Sequence, residues 1–273
     1  MNEFCNNVSV IIPVYNGEVF LRLSVKSVLN QQGQYVKELI IVDDGSTDES
    51  WSVMQQISSE DKRIKIYRQK NQGQAKARNY GATQAKGVYL AFLDVDDTWK
   101  IDKLKKQMAL FYKNNQLVMV YSDAEIIFSS AKKEKIILSY ISKLRRGKIF
   151  SNLIYKNFIF TSSVIIKKSV FDNLGGFKEV AEYRYIEDYD LWLRAAAIGQ
   201  IDYVEEPLFC YLRHAAGSSQ AKVKTATNVL KRLKNTPVDK NMTVIKKTLA
   251  LVRHGLVLLM YFFHLDRFFS PLD

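Results

Sequence analysis

With 273 residues, 47% of them hydrophobic and 25% charged, and with only four prolines and twelve glycines, the chain has the material for a substantial core and no long flexible linker. That excludes a disordered, collagen-like or disulfide-scaffold protein, and the length suits one large domain with an appendage. The net charge of +12 is concentrated, since residues 132–148 hold seven Lys/Arg against one Glu and residues 219–273 hold ten against three Asp, leaving the rest at −1; two basic segments on a neutral body suit an anionic surface or a solvated face and speak against a nucleic-acid binder.

Residues 8–15 form a short β-branched apolar run closed by Asn16-Gly17, and Phe20, Leu21, Val25, Val28 and Leu29 then recur at helical spacing. The chain thus opens as strand, turn and helix, and the unit repeats. The apolar run 38–42 ends in Asp43-Asp44-Gly45-Ser46-Thr47-Asp48, where Ser46 or Thr47 is placed to cap a helix carrying Trp51, Val53, Met54 and Ile57. Residues 63–68 alternate as a strand, 74–85 read as a helix, and 88–93 form a near-continuous apolar strand ending in Asp94-Val95-Asp96-Asp97. Alternating units with uniformly apolar strands predict an α/β fold on a mostly parallel sheet flanked by helices on both faces. Beyond residue 98 the alternation fades. The pattern predicts a helix over 100–115, strand over 117–128, a basic insert at 132–148, strand at 161–166, a helical turn at 168–174, a helix over 183–198 and an extended segment over 201–212 in which Pro207 marks an edge or bend.

Cys5 and Cys210 stand far apart and outside any zinc-ligand spacing, so reduced thiols in a cytosolic setting are expected. The N-terminus has no basic stretch leading into an apolar one, which argues against a secretory signal. The longest apolar run, 255–263, falls far short of the roughly 20 residues a membrane-spanning helix needs. Residues 241–269 combine Leu, Val and aromatic residues with cations at polar positions, the pattern of a helix that lies in anionic headgroups or packs on protein.

Ligands of a parallel α/β sheet gather at the carboxyl ends of its strands, and three such ends carry chemistry here: Pro13-Val14-Tyr15-Asn16, Asp43-Asp44-Gly45-Ser46 and Asp94-Val95-Asp96-Asp97. Neither G-x-G-x-x-G after the first strand nor G-x-x-x-x-G-K-[ST] is present, which excludes dinucleotide-dependent redox chemistry and a P-loop. Carboxylates crowded at a strand end repel one another unless a cation sits among them, so Asp94 and Asp96 point to Mg²⁺ or Mn²⁺. Such an ion completes its shell with water and phosphate oxygens, which makes a diphosphate the natural ligand.

The segments VSVIIPVYNG, LIIVDDGSTDES, NQGQAKARNYGATQAKGVYLAFLDVDD, LGGF and IEDYDLWLR, in that order across residues 8–212, resemble the successive signatures of the family 2 inverting glycosyltransferases, which have the GT-A fold. The resemblance implies a GT-A domain over residues 1–218 with a helical extension over 219–273. It also implies a metal-dependent, inverting transfer of a sugar, most often from a UDP-sugar, to a hydroxyl of a saccharide or lipid-linked acceptor in bacterial-type surface polysaccharide or glycan assembly. Carried over by position, Pro13 and Tyr15 would line the base and ribose pocket, Asp44 would meet the base edge, and Arg78 would lie near the nucleotide. Asp94 would contact the ribose or the metal, and Asp96 would ligate the cation. Asp188 would be the base that takes the acceptor proton, with Glu187 and Asp190 as alternatives that could instead serve the helix dipole. His214, in YLRH, would meet the diphosphate, whereas Arg213 stands one place away from the family's arginine. Asp97 could cap the following helix, and Trp99 could be core or sugar platform. The implied partners are a nucleotide sugar, the acceptor and an anionic membrane surface, with no nucleic acid. The expected setting is the cytoplasm at the inner face of the cell membrane. The alternative is a catalytically silent sugar-nucleotide-binding or membrane scaffold protein, which would have lost the base or the metal acids; Asp94, Asp96 and Asp188 are all present.

Overall fold

The run VSVIIPV forms β1 (Val8–Val14), and all of its residues are buried because the strand is covered on both faces. The structure is a computed structural model that describes residues 6–128, 135–213, 225, 227–232, 248 and 250–256. β2 (Val36–Asp43), β3 (Ile64–Arg68) and β4 (Tyr89–Phe92) join β1 in parallel, in the order β3-β2-β1-β4. Helices α1 (Glu18–Leu29), α2 (Ser50–Glu60) and α3 (Gln74–Gln84) connect them, as the repeating pattern predicts. α3 buries Ala77, Gly81 and Ala82 against the sheet, and a Cβ on Gly81 would stand 2.7 Å from Ile11 Cγ2. Small residues let this helix approach closely, and that depth decides where Arg78 sits.

The chain continues through β5 (Thr98–Trp99), α4 (Lys103–Lys113), β6 (Leu117–Phe128), β7 (Lys135–Ile137), α5 (Phe150–Tyr155), β8 (Ile165–Lys167), α6 (Lys168–Asn173), α7 (Glu187–Ile198) and β9 (Gln200–Arg213). The sheet extends as β4-β8-β6-β9-β5, with β7 paired to β6. β8 runs antiparallel to both neighbours, while β6 and β9 pair in parallel with irregular register around Asp123, opposite Pro207. The sheet is therefore parallel in its first half and mixed in its second, where the alternation in the sequence fades.

Four local expectations shift. Ser46 and Thr47 do not cap α2; the Ser46 hydroxyl accepts the Asn16 N–H at 3.0 Å, the Thr47 N–H donates to Asn16 Oδ1 at 2.8 Å, and Asp48 Oδ1 receives the Ser50 N–H at 3.0 Å. The first two bonds bind the ends of β1 and β2 together. Thr161–Ser163 is a 3₁₀ turn ahead of β8, because its hydroxyls bond locally and across the sheet end in place of a ladder. The helix expected over 183–198 begins at Glu187, since Tyr185 takes φ +72° and interrupts it. The helix expected from residue 100 begins at Lys103, because Thr98 and Trp99 pair with β9.

Helical residues 227–232 and 250–256 of the C-terminal extension pack on the domain, with Val229 and Ala250 inside the core cluster. The Arg232 Nε donates to Asp190 Oδ1 at 2.5 Å, and the Asn228 amide donates to the Arg184 carbonyl at 3.0 Å. The remainder of the segment read as an interfacial helix lies outside the described residues. Among the described residues no helix is long and apolar enough to cross a membrane.

Asp190 is buried between Arg232 and Arg194, and the Arg194 guanidinium also donates to the carbonyls of Leu174 and Gly176. The carboxylate thus joins α7, the LGGF turn and the extension. Asp190→Ala removes the carboxylate that two largely buried cations share and is expected to cost about 3 kcal/mol of stability, read as a lower urea midpoint of the full-length chain.

Candidate active site

Two cavities open beyond the carboxyl ends of β1, β2 and β4. The first, of about 280 Å³, is lined by Pro13, Tyr15, Asp44, Asp94 and Asp96, together with Gln74 and Tyr211. Five residues singled out in the sequence thus meet in one place. The second, of about 320 Å³, is lined by Asp188, Thr161 and Tyr189 and shares Asp94 and Tyr211 with the first. Asp94 therefore stands where the two spaces meet.

Asp44 is held by its own loop. Its Oδ1 accepts from the Gln72 N–H at 2.8 Å and the Gln69 amide at 2.7 Å, and its Oδ2 accepts from the Gly73 N–H at 2.8 Å. Gly45 makes this turn possible: it lies at φ +75°, and a Cβ there would sit 2.8 Å from the Asn71 nitrogen. Asp43 is buried below, accepting from the Ser46 N–H and pairing with Arg68 at 2.9 Å.

Arg78 lines neither cavity. It is buried behind Asp94, with Nη2 donating to Asp94 Oδ1 at 2.6 Å and Nη1 reaching Glu187 Oε1 at 3.5 Å, and it lies 5.5 Å from the Phe177 ring. Burial opposes its charge, but Asp94, Glu187 and Asp188 outweigh burial and hold the guanidinium charged. Gln74 donates to the same Glu187 oxygen at 2.5 Å, so α3 presents two donors to the first turn of α7.

Asp97 does not cap α4. It accepts the Ser162 hydroxyl at 2.5 Å and the Leu212 N–H at 3.1 Å, tying the end of β4 to the 161–163 turn and to β9. Burial, and then the charges of Asp94 and Asp96, push its carboxyl well above the usual range. The crowding of negative charge that the sequence suggested is thus present. Trp99 is core, with its indole N–H donating to the Ser162 carbonyl at 2.9 Å.

Among the described residues no three His, Cys, Asp or Glu side chains are gathered to enclose a metal ion by themselves. Asp94 and Asp96 nevertheless fit Mg²⁺ or Mn²⁺, which takes one or two carboxylates and fills its shell with water and phosphate oxygens. Arg78 already holds Oδ1 of Asp94, so Asp94 would offer such an ion one carboxylate oxygen at most.

Asp188 sits in the first turn of α7, where Thr161 donates a hydroxyl to its Oδ2 at 3.0 Å and the Tyr189 N–H donates to its Oδ1 at 2.6 Å. Burial, and then the neighbouring Glu187 charge, raise its carboxyl to about 6 against the opposing pull of Arg78. Of its competitors, Glu187 is buried against Arg78 and Gln74, and Asp190 is committed to two arginines. His214 lies outside the described residues, and Arg213, which lines neither cavity, lies over the Phe128 ring at 5.7 Å.

Residues 9–175 match the family described as glycosyl transferase family 2. The chain belongs to that family. An uncharacterised Haemophilus influenzae glycosyltransferase is 46% identical over 117 residues, which cover 42% of this chain and 46% of that one. A Bacillus subtilis glycosyltransferase named for teichuronic acid biosynthesis is 48% identical over 102 residues, 37% of this chain and 40% of that one. Each of these matches spans less than half of the relative. Among solved structures, S. aureus TarS 1–349 in complex with UDP-GlcNAc aligns with a TM-score of 0.64 at 18% identity, covering 93% of this chain and 71% of that one. The mannosyltransferase PcManGT from Pyrobaculum calidifontis, in complex with GDP-Man and Mn²⁺, aligns with a TM-score of 0.68 at 16% identity, covering 96% and 74%. At such identities the likeness is one of fold, and the fold is GT-A.

In this family 2 glycosyltransferase several site-forming residues escape a reading by motif. Thr161 and Ser162 sit in a segment that reads as strand, although three consecutive hydroxyl residues are a signal for local bonding. Gln74 and Tyr211 line cavities but belong to no acidic cluster. Because Glu187 raises the Asp188 carboxyl, Glu187→Gln is expected to lower the Asp188 pKa below about 6. The carbon chemical shift of the Asp188 carboxyl, followed against pH, reads this directly, and an unchanged midpoint would leave burial as the whole cause.

Proposed function

We propose that this glycosyltransferase moves a sugar from a UDP-sugar, with inversion, to a hydroxyl of a saccharide or lipid-linked acceptor in surface polysaccharide assembly. The observation that carries the reading is the pair of cavities joined at Asp94 and Tyr211, with the nucleotide-side residues in one and a carboxyl of raised pKa, Asp188, in the other. Further support comes from the relative named for teichuronic acid biosynthesis and from neighbours in complex with UDP-GlcNAc or with GDP-Man and Mn²⁺. The basic extension supports a location at the cytoplasmic face of the membrane.

In-line displacement needs a base for the acceptor proton and a counter-charge for the departing diphosphate. Asp188 serves as the base. Its raised pKa leaves it ionised at neutral pH while making it a stronger acceptor than an ordinary aspartate, and the Thr161 hydroxyl orients it. Pro13 and Tyr15 flank the base and ribose. Asp44 shapes the pocket through the 69–73 loop, which its carboxylate organises. Asp94 and Asp96 would hold a divalent cation, which when bound supplies the positive charge that the diphosphate needs. Arg78 is a positioning residue that acts through Asp94 and Glu187.

Since only ionised Asp188 accepts a proton, kcat/KM is expected to rise with pH through about 6 and level off above it. Asp188→Asn is expected to lower kcat by roughly 10² to 10⁴ with donor affinity little changed. Wild-type turnover in that variant would move the base elsewhere, and UDP binding without transfer to any acceptor would favour the scaffold reading. Asp96→Ala is expected to abolish the Mn²⁺-dependent part of UDP binding, measured by calorimetry with and without the ion, in a protein with an unchanged circular dichroism spectrum.

A further inference from the structure

A third cavity, of about 300 Å³, lies outside the site described above, where the basic insert meets α5. Among the described residues three cations line it, Lys143, Arg145 and Lys156, and no carboxylate does. Ser142 and Asn152 add neutral polar groups, and Phe158 gives it an apolar wall. The neighbouring Arg146 shows what an ordinary surface arginine does in this region, since it pairs with Glu205 at 2.7 Å and Asp202 at 3.4 Å. Among the described residues no acid is paired with Lys143 or Arg145. The Arg145 backbone is also fixed. The buried Tyr121 hydroxyl donates to its carbonyl at 2.6 Å and accepts its N–H at 2.8 Å, anchoring the residue to β6. A rigid backbone beneath an unneutralised guanidinium lowers the ordering cost of gripping an oxyanion.

The cavity lies next to the one that holds Asp188. One extended segment separates them, and its side chains alternate, so that Lys156 and Phe158 line the basic cavity while Asn157 and Ile159 line the Asp188 cavity. The two cavities thus flank the same four residues, 156–159, on opposite sides.

We propose that this cavity is a subsite for an oxyanion, phosphate or carboxylate, carried by the acceptor at a position beyond the hydroxyl that reacts. The proposal rests on the reading of the Asp188 cavity as the acceptor side. Arg145 supplies a forked pair of donors that suits either oxyanion, while Lys143 supplies a point charge. The basic insert thereby gains a role distinct from contact with a membrane.

Titration of the full-length chain with inorganic phosphate, glucuronate and glucose, followed by NMR or calorimetry, tests the assignment. At least one of the two anions is expected to bind, and glucose is not. The double substitution Lys143→Gln with Arg145→Gln is expected to weaken the anion about tenfold or more, as loss of charge-assisted hydrogen bonds would. Lys148→Gln, an exposed cation outside the cavity, is expected to change little. Binding of phosphate alone points to a phosphate-bearing acceptor, and binding of glucuronate alone to a uronate-bearing saccharide. Binding of neither anion, an unchanged double variant, or an equal loss in Lys148→Gln overturns the proposal. Should the double variant not fold, Arg145→Lys keeps the charge and loses the fork, and anion affinity equal to wild type there would remove Arg145 from the subsite. Binding of UDP with Mn²⁺, measured in every variant, separates failure of this subsite from failure of the glycosyltransferase reading.

Discussion

A guanidinium removed from water must be paired or it is expelled, and the site depends on how the chain meets that requirement at Arg78. The small residues of α3 carry the side chain deep enough to leave it about 2% exposed. The two carboxylates that compensate it come from distant places, Asp94 beyond β4 and Glu187 at the head of α7, the latter separated by 109 positions in sequence. Pairing both to one cation fixes the strand end against the helix start. The compensation is incomplete, since Arg78 Nε and Glu187 Oε2 are buried without a hydrogen-bond partner. Buried polar atoms left unmet are costly, and they indicate that placement of Asp94 and α7 is maintained at some expense in stability.

Five acids and one arginine crowd the same region, and the imbalance has electrostatic consequences. Asp97 is driven toward its neutral form against hydrogen bonds from Ser162 and Leu212, and Asp188 is raised to about 6 against the charge of Arg78 and hydrogen bonds from Tyr189 and Thr161. Such repulsion is relieved by positive charge or by proton uptake. On the proposed reading the two occur in separate cavities, a cation between Asp94 and Asp96 and a proton on Asp188. Asp94 lines both cavities, so on that reading the charge of the cation and the proton on Asp188 would be coupled through it.

How far the sequence alone leads depends on whether the signal is local. β1, β2 and β4 are legible because strands buried on both faces must be continuously apolar, and the acids that follow them stand out against that background. The residues gathered in the first cavity, Pro13, Tyr15, Asp44, Asp94 and Asp96, all come from such strand ends. Arg78 reads equally well as a surface cation on an amphipathic helix, because its burial is decided by partners far away in sequence. Asp97 resembles a helix cap, and only its distant bonds to Ser162 and Leu212 show it to be a tie. Tyr185 hides the true start of α7, since nothing in its side chain announces a positive φ. In the motif DYDLWLR, two of the three charged residues belong to structure, with Asp190 and Arg194 fastening the Gly175-Gly176 turn and the extension.

The extension completes the same logic. Thr225, Val229 and His254 line the cavity that holds Asp188, so the described parts of this segment wall the site as well as pack on the domain. His254 introduces a titratable group into the cavity of Asp188, and a charged imidazole there would pull the Asp188 carboxyl back toward ordinary values. Burial, and then the charge of Arg253, lower His254 to about 4, so that it is neutral wherever Asp188 is ionised. The described residues of the segment therefore wall the cavity with apolar and neutral groups and leave the raised pKa of Asp188 intact. Lys or Arg at these positions would have walled the same space while drawing the Asp188 carboxyl down.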